Sequence, residues 1–426
     1  MQSTVFSRRA LTESLALSFS QNTQHKTNYL TLFFLLPLND RTASEASLLA
    51  HLITNLSADY PSMYDLRRAK ASLWGAEIAA STSALGDTLL LTVNAAYLKD
   101  RFVPEGENVT AGVLSFLRSF FCRPYLVDGT FDPALVRLEA KNAADDARAV
   151  LNDKSRLARR RHVEIMYEGT PFASSALGRA EVIEALDPKE LTESFYRMLS
   201  SAPVEAIFVG EADEALLAEE LTRCLCDLQK TPHALPVPTV GSAPQTIRRV
   251  TEYMDINQAH LCLGLRSPSI RTAPDYFAFS IANTVFGAGT TCKLFMNVRE
   301  KLSLCYRVAS IYSAQNGFLQ IYAGIDADKR SAAEEEILLQ LANTKQGEIT
   351  DAELQNAKNT LTNAIRTYTE SPDSLAAWAI PRILMGVKVD PAYEIEQLSA
   401  VKTDDAAAAF SRLSPDTFYC LQKEEL

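Results

Sequence analysis

No stretch of this sequence is apolar for long. The longest apolar run, LTLFFLLPL from Leu30 to Leu38, is about half of what a membrane-spanning helix requires. The N-terminal stretch MQSTVFSRRALTESLALSFS has two arginines but no continuous apolar core and no small-residue cleavage site, so a signal peptide is not expected. Positive charge is also in short supply. Lys and Arg number 42 against 52 Asp and Glu, a formal net charge of -10. A general nucleic-acid binder is thereby excluded, because it needs a basic surface to displace counterions from phosphates. The seven cysteines are odd in number and scattered, with Cys224 and Cys226 close together but no paired CxxC sets. That pattern indicates neither a zinc cage nor a disulfide framework, and it fits a reducing, cytoplasmic setting.

What is present is an ordinary globular composition, 47% hydrophobic and 22% charged over 426 residues. That length is enough for more than one domain with a large buried core. One segment reads as a linker: TPHALPVPTVGSAP, Thr231 to Pro244, holds four prolines and a glycine and cannot form a helix or a central strand. The expected domains are therefore 1–230 and 248–426, with 231–247 between them.

The two halves look alike. YLTLFFLLPLNDRTASEASLLAHLITN and AHLCLGLRSPSIRTAPDYFAFSIANTV both run from an apolar strand through a polar loop to Arg-Thr-Ala. These are Arg41-Thr42-Ala43 and Arg271-Thr272-Ala273, offset by 230. DLRRAKASLWGAEI resembles NVREKLSLCYRVAS at an offset near 232, and GDTLLLTV resembles GFLQIYAG at 231. A near-constant offset points to an internal repeat, in which His51 and Ile281 hold equivalent helix positions. Thr42 with Glu45 reads as a capping box, and Thr272 with Asp275 repeats it, with Pro274 in the first turn. Leu49, Leu52, Ile53 and Leu56 give one apolar helix face. Further helices are expected over 133–151, 211–228, 331–343 and 351–368, and strands over 204–209 and 260–265. The order implies an α+β fold: two homologous domains, each a mainly antiparallel sheet covered by helices.

His51-Leu52-Ile53-Thr54-Asn55 begins like a zinc-binding helix. In the inverted motif H-x-x-E-H, two histidines four apart share a helix face, and the glutamate is general base for metal-bound water. Here Thr54 stands where the base belongs and Asn55 where the second ligand belongs. Threonine is no carboxylate base, and asparagine is a poor zinc ligand. Taken alone, His51 reads as a helix histidine packed or hydrogen-bonded locally.

With its surroundings, the chain resembles the pitrilysin/insulinase family of zinc metallopeptidases, which includes the mitochondrial processing peptidase. LLPLNDRTASEASLLAHLITN resembles that family's strand, loop and metal-site helix. FDPALVRLEAKNAADDARAVLND resembles the helix bearing the third ligand, with Asp145 and Asp146 near the family's acidic pair. PFASSALGRAEVIEAL resembles the following Leu-Gly block. KLFMNVREKLSLCYRVAS is similar to a segment holding an arginine and a tyrosine seven residues apart, here Arg299 and Tyr306. The resemblance implies a clam-like half-chamber in which Arg299 and Tyr306 contact the substrate near the scissile bond. It also implies a heterodimer whose zinc and H-x-x-E-H come from a homologous partner chain. On that expectation the chain holds no metal or other cofactor, has no catalytic residue of its own and is inactive as an isolated peptidase. The partners it implies are that chain and peptide substrates, with no nucleic acid and no membrane. The rival implication is a non-enzymatic peptide-binding, chaperone-like or scaffold protein of the same fold, including the subgroup associated with modification of a translation factor.

Overall fold

The computed structural model describes residues 6–424 except 56, 226–230, 237 and 243. The chain divides into two compact α+β units. The first comprises Met1–Ala149, Ser174–Val237 and Tyr368–Pro381; the second comprises Val150–Ala173, Pro238–Thr367 and Arg382–Leu426.

The first unit is built on strands β1 (Ser7–Ala10), β2 (Leu15–Gln21), β3 (Thr27–Pro37), β4 (Glu77–Leu85), β5 (Thr88–Leu98) and β8 (Val204–Gly210). Its sheet order is β1-β2-β8-β3-β5-β4, and a small separate hairpin is formed by β6 (Leu126–Val127) and β7 (Thr130–Phe131). The second unit uses β9 (Arg248–Tyr253), β10 (Ala259–Arg266), β11 (Cys305–Ser313), β12 (Phe318–Ile325) and β13 (Ser414–Gln422), in the order β11-β12-β10-β13-β9. Reading β3 as β10, β5 as β12, β4 as β11, β8 as β13 and β2 as β9, the five shared strands have the same order. Their directions agree too. Each sheet is antiparallel except for one pair, β2 with β8 and β9 with β13. The hairpins leading into β5 and β12 each carry a left-handed glycine, Gly86 at φ 59 and Gly317 at φ 60. Glycine accepts that conformation without the steric cost of a Cβ.

Most expected elements form near their expected bounds, for example the helices Pro133–Ala149, Arg330–Lys345 and Asp351–Tyr368. The helix expected over 211–228 spans Glu214–Leu225, and its last expected residues lie outside the described ones. Leu56 does too. Neither capping box forms. The helix Asp40–Leu52 is capped by Asn39, whose side chain accepts from the Thr42 amide. Glu45 is drawn away from the helix end by Arg41, Ser194 and Arg197. The corresponding helix starts only at Tyr276, after Pro274. Asp275 at its cap makes no side-chain cap bond and instead engages Ser269 and Arg412. In both cases charged partners outcompete a free amide for the carboxylate.

In the second unit both sheet faces are covered, so β10 and β12 are buried at every position and show no alternation. Leu261, Leu263, Leu319 and Ile321 pack in one core with Phe279, Ile337 and Phe410. Cys262, Tyr322, Tyr419 and Leu421 pack in another against Leu157 and Ala158 of the helix Lys154–Met166. His162 ties this helix to the sheet. Its Nε2 lies 2.9 Å from the Thr417 carbonyl oxygen, and its Nδ1 lies 2.7 Å from Gln320 Nε2. Gln320 Nε2 also donates to the Arg159 carbonyl. A carbonyl only accepts and an amide NH2 only donates, so the ring is neutral with its proton on Nε2. Burial pushes the His162 imidazole down to about 4.

That shift sets a pH dependence. Between roughly pH 6.5 and 4 the unfolded histidine binds a proton that the folded one refuses, so stability falls as pH falls through this window. The expected loss at pH 5 relative to pH 7 is about 2 kcal/mol. Urea midpoints at the two pH values check it, with His162→Gln expected to show a shallower dependence. An identical dependence in both proteins would remove His162 as its source.

Candidate functional site

The metal-motif positions gather at the end of the helix Asp40–Leu52. This helix is buried continuously from Ala43 to Ala50, and it places Leu48, Leu49 and Leu52 in the first core. It also seats against the Leu-Gly block. Gly178 has φ 71, and a Cβ there would come within 2.5 Å of Ser44 Cα. Next to it, the Arg179 amide donates to Ser44 Oγ at 3.0 Å, and its guanidinium pairs with Asp40. The block therefore fixes the helix that carries His51.

His51 is about three-quarters buried as a side chain. Its Nδ1 lies 3.5 Å from Glu139 Oε2 and its Nε2 3.4 Å from Asp146 Oδ2. Glu139 and Asp146 are seven apart on the helix Pro133–Ala149, two turns along one face. Asp145 turns elsewhere, 3.6 Å from Arg148. Glu139 was not foreseen from sequence; its i, i+7 relation to Asp146 was the signal available. The helix stops at Leu52, and Thr54 and Asn55 lie in the turn that ends it. Asn55 acts as an end cap, its Nδ2 donating to the His51 carbonyl at 2.5 Å and facing Glu139 Oε1 at 3.3 Å. Thr54 is buried.

These residues do not fit a zinc ion. The two nitrogens of His51 face separate carboxylates, and Asn55 offers N–H groups where a metal needs a lone pair. Among the described residues no group of three His, Cys, Asp or Glu side chains is placed to hold a metal.

Arg299 and Tyr306 meet in one cleft of the second unit. Arg299 sits in the last turn of a π-helical segment, Leu294–Lys301, in which the Leu302 amide reaches back five residues to Asn297. Such segments are frequent at functional sites. Ser303, left-handed at φ 50, ends it and turns the chain into edge strand β11. The Arg299 guanidinium lies over the Phe295 ring at 4.8 Å and 3.6 Å from Glu300. Tyr306 is 61% exposed, and its hydroxyl donates to Asp326 Oδ1 at 2.9 Å. Lys329 holds the other Asp326 oxygen at 3.0 Å. The Asp326 carboxylate raises the Tyr306 phenol above its ordinary value, so it stays protonated at neutral pH. The cleft measures about 390 Å³ and is also lined by Ser303, Leu304 and Cys305. It presents a guanidinium fork suited to hydrogen-bonding a peptide carbonyl, whereas the one phenol proton of Tyr306 is held by Asp326 and reaches a carbonyl only by leaving that carboxylate.

Residues 185–361 match a family model described as the peptidase M16 inactive domain. A probable inactive metalloprotease of Bacillus subtilis is 22% identical over 400 residues, covering 94% of each chain. Among solved structures, a conserved protein from Enterococcus faecalis superposes with a TM-score of 0.91 at 22% identity, over 98% of this chain and 99% of that one. A peptidase M16 inactive domain from Pseudomonas fluorescens superposes at 0.77 with 17% identity, over 99% and 98% of the two chains. Among the described residues no helix is long and apolar enough to cross a membrane.

Proposed function

We propose, from the premise that this chain is a non-catalytic member of the pitrilysin/insulinase family, that it binds and positions peptides for a homologous partner chain. The partner carries H-x-x-E-H, the zinc and the general base. This chain contributes the Arg299 and Tyr306 contacts. The observation carrying this reading is the contrast between its two candidate sites. Around His51 the residues satisfy one another. Around Tyr306, by contrast, an exposed guanidinium and an exposed phenol line an open cleft beside an edge strand. An edge strand offers unpaired backbone groups to an extended peptide, giving affinity with little demand on sequence.

The test is co-purification of the tagged chain from its own organism, with mass spectrometry and elemental analysis of the product. The expected outcome is a stoichiometric homologue with intact H-x-x-E-H, one zinc per heterodimer, and none held by this chain purified alone. One zinc bound tightly by the isolated chain would overturn the division of labour.

A further inference from the structure

Strand β11 does not alternate cleanly. Cys305 pairs with Ile325 and Arg307 with Gly324, so Tyr306 is an extra residue opposite no partner. Such a bulge turns side chains that the pleat would otherwise send to opposite faces. As a result, Tyr306 and Arg307 are both exposed between buried Cys305 and Val308. Tyr306 then borders two clefts. One is the Arg299 cleft. The other, about 580 Å³, is lined by Arg307 together with Asp153, Lys154, His260 and Tyr322.

The second cleft carries an excess of positive charge. Arg307 has neither a carboxylate nor a hydrogen-bond partner among the described residues. Lys154 donates to the Leu151 carbonyl at 2.5 Å and has no carboxylate ion-pair partner among the described residues. The cleft's anion, Asp153, spends one carboxylate oxygen, Oδ1, as a helix cap on the Ser155 and Arg156 amides and the Ser155 hydroxyl, which leaves one acidic group against the two cations. His260 is bonded to the Tyr322 hydroxyl at 2.9 Å, and burial keeps its imidazole below the ordinary value and neutral near pH 7. In a chain of net charge -10, an unpaired guanidinium beside a peptide-sized cleft selects for a negative group.

We infer that the cleft beyond Tyr306 takes a carboxylate of the bound peptide, an acidic side chain or the free C-terminus, on Arg307 with Lys154 beside it. This deepens the proposed function and rests on its peptide-binding reading. An arginine fork matches a carboxylate with two parallel hydrogen bonds, so acidic peptides are favoured over neutral ones.

Fluorescence anisotropy with the full chain and four labelled ten-residue peptides tests it. All share one apolar extended sequence. One has a central Glu and an amidated end, one a central Gln and a free C-terminus, one a central Gln and an amidated end, and one a central Lys and an amidated end. One or both carboxylate peptides are expected to bind roughly tenfold more tightly than the neutral one, and which of them does so identifies the source. Arg307→Gln is expected to bring that ratio close to one, and Arg307→Lys to keep part of it. Melting curves confirm that the variants fold, as expected for an exposed side chain. If the wild-type chain binds all four peptides equally, the inference fails and the proposed function stands. Binding to none of them overturns both. A ratio unchanged in Arg307→Gln removes Arg307 from the site.

Discussion

In the proposed complex with a metal-bearing homologue, Arg299→Ala or Tyr306→Phe is expected to lower peptide turnover about a hundredfold or more. Removing one donor to a developing oxyanion typically costs about 3 kcal/mol of transition-state stabilisation. Loss of substrate positioning acts in the same direction. Both side chains are well placed for a test that separates function from folding. Tyr306 is largely exposed and its hydroxyl bonds to Asp326 at the surface, so the melting temperature of Tyr306→Phe should hardly move. Arg299→Ala gives up an exposed stacking contact with Phe295, worth about 0.5–1 kcal/mol. Turnover and melting temperature, measured on the same samples, then report different things. Unaltered turnover in a folded, assembled Arg299→Ala complex would exclude the substrate role of Arg299. A large fall in melting temperature with activity preserved in the surviving complex would make the pair structural.

The second large effect is on folding. A protein made of residues 238–426 alone is expected not to fold stably, and to fold when a peptide spanning 150–173 is supplied in trans. The second sheet buries one face against that segment. Leu157 and Ala158 pack with Cys262, Tyr322 and Tyr419, and Met166 and Tyr167 pack with Phe318. Burying a large apolar side chain contributes about 1.5–3 kcal/mol, and Leu157, Met166 and Tyr167 together approach the whole stability of an ordinary domain. Polar ties add to this. His162 pairs with Thr417 and Gln320, Arg161 with Glu252, and Arg266 with the Met166 carbonyl. Arg266 also lies over the Tyr167 ring at 4.1 Å. Without the segment, the Thr417 carbonyl and Gln320 amide lose their partners. Circular dichroism and urea melts of 238–426, with and without the peptide, check the expectation. A cooperative transition of native midpoint in the truncated protein alone would show that the segment is dispensable.

The Pro-rich stretch was legible as a break because proline cannot continue a helix or a central strand. Its described residues form neither. The repeat was legible because strand, hairpin glycine and helix recur at fixed intervals, and Gly86 and Gly317 do share one backbone conformation. That Thr54 is no carboxylate base and Asn55 a poor zinc ligand was legible because it is a matter of residue type. Helix bounds such as Asp351–Tyr368 follow from local periodicity.

What the tertiary structure decided lies where distant residues compete for the same group. Glu45 leaves its helix cap for arginines and a serine, Arg197 and Ser194 being some 150 residues away. Glu139 reaches His51 from another helix, while Asp145 turns to Arg148. The bulge at Tyr306 depends on how β11 pairs with β12, and it reverses the parity by which a sequence reader would point Arg307 inward. The exchange of 150–173 and 368–381 between units was also hidden. Unbroken burial along β10 and β12 requires a second cover for the sheet, yet the pattern of the strands does not say which segment supplies it. Local propensity determines which elements form. Which element covers which face is settled by apolar area and hydrogen-bond partners that meet only once the chain has folded.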